Sequence, residues 1–315
     1  MVSIDARLEL FKKQFPKEKI ISFQEREGQD HSILEINHKW MCKSSKTEKG
    51  VILLEREVKV LDLLHGKITT EIPMPLYYEH NFLVYKKISG SPLLGYTFQR
   101  LGAKQKSKLV QDVAQFIWQL HTALTPIEIE SLYLKPSDWP WSVEKLQASR
   151  HYLEDNKDLL DVFDNIMKVH AEDVKESFQP TLIHNDLSFN NIIVDPLTFQ
   201  LKGIIDFADI AFDDPALDLR IRKDSLSNFV VPVVLAYDRI SNASINMQKL
   251  YGYYFATEFS RYFDCLEHNN AQMAQETLHG IIASIRDFLA SHDSCKDGAE
   301  GCEHTAESSP VQIQI

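Results

Sequence analysis

Residues 181–219 read TLIHNDLSFNNIIVDPLTFQLKGIIDFADIAFDDPALDL, and they are the most informative segment of the chain. Two apolar runs, 192–194 and 201–205, flank a turn that contains a proline, which is typical of a β-hairpin. The polar residues beside the ends of the hairpin are His184, Asp186, Asn191 and Asp206. Antiparallel pairing of the two strands would bring the last three of them into one small polar cleft.

These residue types match the needs of phosphoryl transfer from a nucleotide. One acid must orient the acceptor hydroxyl and take its proton, while an amide and a second acid hold Mg²⁺ against the phosphate oxygens. Protein kinases use His-Arg-Asp-x4-Asn and Asp-Phe-Gly for this, and the same spacing occurs here. We interpret Asp186 as the catalytic base, Asn191 and Asp206 as magnesium ligands, and His184 as a structural brace. Polar turn residues at strand ends are the alternative interpretation, but coincidence does not readily supply both motifs.

The residues before 87 supply the remaining parts of a nucleotide site. Lys43 closes a predicted strand, and Glu57 lies in the following helix, which is the order of the ion pair that kinases require. Glu55 and Lys46 are the competing partners. A glycine-rich loop over the phosphates is reduced to Gly28, so we expect a looser lid with fewer backbone donors.

Hydrophobic patterning predicts an α+β chain, with strands and one helix first and mainly helices later. We expect an opening helix that Pro16 ends, a helix from Gly50 to Gly66, and a clear apolar helical stripe from Leu109 to Leu124. The predicted early strands are 19–24, 32–36, 40–43 and 82–86.

Composition excludes several classes of protein. The chain carries 34 Lys and Arg against 45 Asp and Glu, for a formal net charge of −11, which argues against nucleic acid as a partner. No apolar run is long enough to span a bilayer, and no cleavable leader is evident at the start. With only four cysteines, we expect a cytoplasmic protein. Residues 291–315 are acidic and lack aromatic residues, so we expect a disordered tail; a protein partner for this tail is the less favoured alternative.

Taken together, the motifs resemble the aminoglycoside phosphotransferase family of kinase-like small-molecule phosphotransferases. The resemblance runs over most of residues 20–290, and Ile-Pro-x-Pro at 72–75 and Ile-x-Gly-x-Pro-Leu at 88–93 are most similar to the 2″-phosphotransferases. It implies a bilobal protein-kinase-like α+β fold. The nucleotide-binding lobe would be a small antiparallel sheet in residues 1–87, and a helical catalytic and substrate lobe would follow in residues 88–290.

The resemblance also implies roles for individual residues. Lys43 and Glu57 correspond to the phosphate-binding pair, Tyr85 and Ile88 lie in the segment that would hold the purine, and Asp186 corresponds to the base. The expected cofactors are Mg²⁺ and ATP or GTP as phosphate donor. The substrate would be a cationic small molecule, with an aminoglycoside as first choice. The candidate acids for its ammonium groups are Asp238, Glu258 and Asp264.

Two other hypotheses stay open on the sequence. One is a metabolic kinase of the same fold that phosphorylates choline, homoserine or a sugar amine. The other is a pseudokinase that keeps the fold as a binding module and has lost turnover. The four residues Lys43, Asp186, Asn191 and Asp206 weigh against the second hypothesis, because a module without catalysis has no chemical need for all of them.

Overall fold

The computed structural model describes residues 3–28, 30–79, 81–221 and 226–296. The chain divides into two compact units. Unit 1 comprises Met1–Lys135, Leu182–Asp186 and Asn190–Phe212, and unit 2 comprises Pro136–Thr181, Leu187–Phe189 and Asp213–Ile315. Unit 1 therefore extends past residue 87, where we expected the first lobe to end, and it takes in most of the hairpin region.

A five-stranded antiparallel sheet forms the first part of unit 1, in the order β1-β2-β3-β5-β4. Its strands are β1 (Phe23–Glu27), β2 (His31–Ile36), β3 (Trp40–Ser45), β4 (Pro75–Glu79) and β5 (Phe82–Lys86). Helix α1 (Ile4–Gln14) precedes the sheet, and helix α2 (Glu48–Leu64) connects β3 to β4. The limits of β5 agree with the predicted strand.

Alternation along the strands gives this sheet two apolar faces. Phe11 of α1 packs on one face with a cluster that includes Leu34, Trp40 and Val84. Leu54 of α2 packs on the other face. Cross-strand register pairs Lys43 with Ile33 on β2 and with Leu83 on β5, so this lysine lies in the middle of the sheet. A central position fixes the lysine backbone on both sides.

Helix α2 begins at Glu48, two residues before the expected Gly50, and ends at Leu64, just before the expected stop at Gly66. The Thr47 side chain caps its first turn by accepting a hydrogen bond from the Gly50 backbone N–H at 2.9 Å. Gly66 lies just beyond the end with a φ of +73°, the left-handed conformation that favours glycine.

The remainder of unit 1 carries the hairpin that residues 181–219 predicted. Strands β8 (Ile192–Val194) and β9 (Leu201–Ile204) pair antiparallel, and Ile192 lies opposite Ile204. The other elements of unit 1 are β6 (Ser91–Pro92), α3 (Gly95–Arg100), α4 (Ala103–Thr122) and α5 (Pro126–Ser131). Two short strands, β7 (Thr181–Ile183) and β10 (Ala211–Asp213), lie in unit 1 except for Thr181 and Asp213. Helix α4 buries the stripe that begins at Leu109.

Unit 2 is helical. Its helices are α6 (Val143–Ala148), α7 (Lys157–Asp173), α8 (Ala216–Leu219), α9 (Val231–Ser241), α10 (Met247–Glu267) and α11 (Ala271–Lys296). Helix α10 is buried along most of its length and packs against α7 and α11. Phe163 of α7 contacts Phe259 and Phe263 of α10, with ring centroids 4.9 and 5.7 Å apart. This aromatic cluster lies in the core of unit 2.

Two sequence expectations need correction. The predicted strand 19–24 begins only at Phe23, because the Asn37 side chain binds residues 19–22 in place of a strand partner: its Oδ1 accepts from the N–H groups of Ile21 and Ser22, and its Nδ2 donates to the Lys19 carbonyl. The tail that we expected to be disordered from 291 is helical as far as Lys296, since α11 continues there. Residues 297–315 lie outside the described residues.

Candidate active site

A buried lysine with two carboxylates is the centre of the candidate site. Lys43 Nζ on β3 lies 2.8 Å from Glu57 Oε2 on α2 and 2.9 Å from Asp206 Oδ1 after β9. The side chains of Lys43 and Glu57 are only 4% and 1% exposed, whereas that of Asp206 is 48% exposed. Glu55, the competing acid, is exposed. The structure therefore joins Lys43 to Glu57, as the sequence predicted.

Electrostatics keep this lysine charged. Burial by itself would lower the pKa of Lys43, but the carboxylates of Asp206 and Glu57 outweigh burial and raise that pKa above its ordinary value. Lys43 in turn lowers the pKa of Asp206. Asp206 is thus an anion whose carboxylate is held by a cation on one side and reaches solvent on the other.

The loop after β7 presents the candidate base. The amide Nδ2 of Asn191 donates to both the backbone carbonyl of Asp186, at 2.8 Å, and its carboxylate Oδ2, at 3.0 Å. Register across the hairpin places Asn191 beside the end of β9, where its carbonyl accepts from the Ile205 N–H at 3.0 Å. Since the nitrogen of the amide faces Asp186, the oxygen of the Asn191 amide is the atom left to coordinate a cation.

His184 connects this loop to the end of β9, just before Asp206. Its side chain is fully buried, and its Nδ1 accepts the Asp186 N–H at 3.3 Å. Nε2 must then carry the proton, which it donates to the Ile205 carbonyl at 3.1 Å. These two backbone contacts make His184 a structural brace between Asp186 and the residue before Asp206.

Backbone contacts fix the segment that carries Asp206. Asp206 has a φ of +70°, which is uncommon for a residue with a side chain, and it directs the chain sharply at the end of β9. The N–H of the next residue, Phe207, donates to Glu57 Oε1 at 3.3 Å. The Phe207 ring is fully buried against His184, with centroids 4.8 Å apart. Glu57 therefore binds both the Lys43 side chain and the backbone directly after Asp206.

Sequence reasoning missed two further contacts to this segment. Arg56 donates to the Ala208 carbonyl at 3.0 Å, and the Asn185 side chain donates to the Asp209 carbonyl at 3.0 Å. The Arg56 contact spans 152 positions, and no local signal in the sequence indicates it. Asn185 has a φ of +66°, a conformation in which Asn is enriched, so the presence of Asn between His184 and Asp186 was the available signal.

The donor set fits magnesium. Asn191 and Asp206 offer an amide oxygen and a carboxylate, the hard oxygen ligands that Mg²⁺ prefers. Among the described residues, no group of three or more His, Cys, Asp or Glu side chains could hold a metal. Mg²⁺ needs no such cage, because it is commonly bound by one or two protein ligands together with substrate phosphates.

The expected purine-binding segment lies at the end of β5. Tyr85 and Ile88 are buried, with 7% and 4% exposure. A β-carbon on Gly203 would lie 2.7 Å from Ile88 Cδ1 and 2.5 Å from the Glu71 carbonyl oxygen, so only glycine allows β9 to approach so closely. Beyond β5, the Lys87 N–H donates to the Lys39 carbonyl at 2.8 Å, which ties the segment to the β2–β3 turn.

The candidate substrate acids all lie in unit 2, and each has a partner of its own. Asp238 Oδ1 accepts from the Ile245 N–H at 3.1 Å. Glu258 is buried and lies 3.3 Å from Arg261, and Asp264 lies 3.5 Å from His268. These contacts do not bring the three acids together at one point.

A buried ion pair accounts for another acidic motif of unit 2, Asp-Pro-x-x-Asp. Asp214 Oδ2 lies 2.7 Å from Lys249 Nζ and accepts from the Tyr253 hydroxyl at 3.2 Å, and its Oδ1 accepts from the Ala216 N–H. Asp218 is 1% exposed. Asp214 therefore joins the start of α8 to α10 within unit 2.

Several solved structures share this fold at low sequence identity. The GDP complex of a mutant aminoglycoside 2'-phosphotransferase-IIIa has a TM-score of 0.76 at 21% identity, covering 90% of this chain and 98% of that one. The streptomycin–ATP–APH(2")-IIa ternary complex has a TM-score of 0.61 at 21% identity, covering 87% and 97%. A macrolide 2'-phosphotransferase type I has a TM-score of 0.61 at 14% identity, covering 88% and 96%. A comparison with curated proteins gave no match.

Fold and site together define a kinase-like phosphotransferase with an alcohol group as acceptor. Residues 28–242 match the family model described as the phosphotransferase enzyme family, APH. The chain belongs to this family, which confirms the resemblance seen in the sequence. Within the described part of the chain, no helix is both long and apolar enough to cross a membrane.

Proposed function

We propose that this protein is a magnesium-dependent kinase that transfers the γ-phosphate of ATP or GTP to a hydroxyl of a cationic small molecule, with an aminoglycoside as the first candidate. The observation that carries the proposal is the three-way contact of Lys43 with Glu57 and Asp206, all in unit 1. A buried, charged lysine beside a half-exposed carboxylate is what the phosphates and their metal ion require.

Each residue would then have a distinct task. Asp186 accepts the proton of the acceptor hydroxyl at a carboxylate oxygen, while Asn191 holds that carboxylate through Oδ2. Lys43 binds phosphate oxygens, and Glu57 orients Lys43. Asn191 and Asp206 would hold Mg²⁺, which when bound neutralises charge on the transferred phosphoryl group. Catalysis thus depends on positioning and electrostatics within unit 1.

The nucleotide donor is supported by the neighbouring structures, since those proteins are complexes with GDP and with ATP. We propose that backbone groups near Ile88 bind the purine and that Tyr85 packs behind it. The N-terminal nucleotide-binding lobe, residues 1–87, and the catalytic and substrate lobe, residues 88–290, stay part of this proposal. A cytoplasmic location is also a proposal, and it rests on the low cysteine content.

Aminoglycosides carry several ammonium groups, so their site needs ionised acids. The net charge of −11 suits such a ligand, and the named neighbours include a streptomycin complex. Among the three candidate acids, Asp264 has a 33% exposed side chain, while that of Glu258 is 10% exposed. Exposure and a weak histidine partner favour Asp264 over Glu258 for contact with a ligand. The macrolide phosphotransferase neighbour makes a macrolide the second acceptor to test.

The deciding experiment measures nucleotide turnover and product mass with a panel of acceptors. Kanamycin, gentamicin, erythromycin, choline and homoserine should be compared with ATP and with GTP, with and without Mg²⁺. We expect phosphorylation of at least one aminoglycoside, dependent on Mg²⁺ and strongly reduced in Asp186→Asn. Turnover of choline or homoserine alone would establish a metabolic kinase. Magnesium–nucleotide binding without turnover of any acceptor would favour a binding module.

A further inference from the structure

The contacts around residues 205–209 point to residues that position the Asp206 carboxylate by binding the backbone next to it. We propose that Arg56 and Asn185 hold the segment after Asp206 in the conformation that presents its carboxylate to Mg²⁺. This inference rests on the proposed function, in which Asp206 is a magnesium ligand. Each side chain donates to a backbone carbonyl after Asp206, so we assign both as positioning residues.

The two side chains bind consecutive carbonyl groups of the same segment. Arg56 reaches the Ala208 carbonyl from α2, and Asn185 reaches the Asp209 carbonyl from the loop that carries the base, each at 3.0 Å. Helix α2 therefore binds both sides of Phe207: Glu57 accepts its N–H, and Arg56 donates to the carbonyl one residue later. Helix α2 and the loop that carries Asn185 thus both bind the backbone of residues 207–209.

Asp206 needs this support because of its backbone. A φ of +70° is unfavourable for a residue with a β-carbon, so such a conformation persists only where surrounding contacts enforce it. The contact of its carboxylate with Lys43 cannot enforce it alone, since a half-exposed side chain can rotate about its own bonds. Fixing the carbonyls of residues 208 and 209 leaves the preceding turn little freedom.

Asn185 also couples the base to the metal ligand. In the sequence it lies between His184 and Asp186. The His184 ring binds the backbone of both Asp186 and Ile205. The φ of +66° at Asn185 turns its side chain toward residue 209, 24 positions away in sequence. Losing the Asn185 amide would therefore loosen the Asp206 segment without removing a ligand or the base.

Magnesium titration of nucleotide binding tests the proposal without any acceptor. The protein, with a non-hydrolysable ATP or GTP analogue, is titrated with Mg²⁺ and followed by thermal shift, and Mn²⁺ binding is read by electron paramagnetic resonance. In Arg56→Met and Asn185→Gly we expect the half-saturating Mg²⁺ concentration to rise about tenfold, a change of about 1.4 kcal/mol in binding free energy. Glycine also adopts a positive φ, so that variant removes the side-chain amide without adding backbone strain.

Controls separate positioning from general stability. Lys59→Met removes an exposed cation from the same helix and should leave the titration unchanged. Arg56→Lys keeps a donor and should recover most of the magnesium affinity, and a merely structural role would change the melting temperature without moving the half-saturating Mg²⁺ concentration. If Arg56→Met does not fold, Arg56→Lys and Asn185→Gly decide the question.

The outcomes also distinguish this inference from the proposed function. Wild-type titration curves for both Arg56→Met and Asn185→Gly, alongside magnesium-dependent binding in the wild type, would overturn the positioning roles and leave the function standing. Absence of magnesium-dependent nucleotide binding in the wild-type protein would overturn both.

Discussion

Replacing Lys43 with Met should destabilise the protein far more than loss of a surface lysine, because it leaves Glu57 buried without a cation. The Glu57 side chain is 1% exposed, and its Oε2 lies 2.8 Å from Lys43 Nζ. Removing one partner of a buried ion pair costs about 3–5 kcal/mol. Half-exposed Asp206 can recover hydration, so Glu57 accounts for nearly all of the loss.

The loss should depend on pH in a defined direction. Burial raises the pKa of Glu57, and Lys43 opposes that rise in the wild type. Without Lys43, the folded-state pKa rises further above the value of about 4.3 for an unfolded Glu. The folded state then binds more protons than the unfolded state, so stability falls as pH increases. The deficit of Lys43→Met should therefore be larger at pH 8 than at pH 5.

Urea denaturation followed by circular dichroism measures these differences. The double variant Lys43→Met/Glu57→Gln should recover at least half of the lost stability, because a neutral amide still accepts the Phe207 N–H. It should not recover magnesium–nucleotide binding. Lys49→Met is the matched control, since Lys49 is 70% exposed and lies 3.8 Å from Asp30, and it should change stability by less than about 0.5 kcal/mol. A single Lys43→Met variant within about 1 kcal/mol of wild type would refute the reasoning.

Three further predictions concern the base, a buried histidine and a glycine. Asp186→Asn should lower turnover by roughly 10²–10⁴ in single-turnover assays with nucleotide affinity unchanged, and unaltered turnover would exclude Asp186 as the base. Burial lowers the pKa of His170 to about 4, so its stabilisation is complete above about pH 6.5 and is lost as pH falls toward 4. Between pH 7.5 and 5 the wild type should lose about 2 kcal/mol more than His170→Gln in urea unfolding, and equal losses would contradict the effect of burial on His170. Gly203→Ala should cost about 1–3 kcal/mol in thermal unfolding and raise the nucleotide KM, because its β-carbon would press on Ile88; an unperturbed melting temperature would contradict the close approach.

Local signals in the sequence were enough to place the chemistry-bearing residues on their elements. Helical spacing puts Glu57 on the same face of α2 as Leu54 and Leu61, but the sequence left Glu55 open as a competing acid, and the structure decided between them. The hairpin strands followed from two apolar runs and a turn, and register then set Asn191 beside the end of β9. Each of these features depends on neighbours within a few residues, where periodicity and turn chemistry act.

Contacts between distant residues were beyond such reasoning. Asn37 replaces strand pairing for residues 19–22 through its side chain, so β-propensity there was overruled by a partner about 15 positions away. The contact of Arg56 with Ala208 spans 152 positions, and nothing in either local sequence announces it. The partners of the candidate substrate acids were equally beyond the sequence, since charge alone does not tell which neighbour an acid meets.

Unit 1 is assembled from separate stretches of chain, and this has a consequence for folding during synthesis. The five strands of the sheet lie within residues 23–86 and can pair as soon as they leave the ribosome. Lys43, however, meets Asp206 across 163 positions, after the intervening first helices of unit 2 have been made. A nascent chain therefore carries the Lys43–Glu57 pair on the sheet before the Asp206 carboxylate has been made. Closing the loop between Lys43 and Asp206 is a late and slow step, because the loop is long. Stalled chains that end before residue 206 should be bound by chaperones that recognise exposed apolar surface, and release should coincide with emergence of β9 and the residues that follow it.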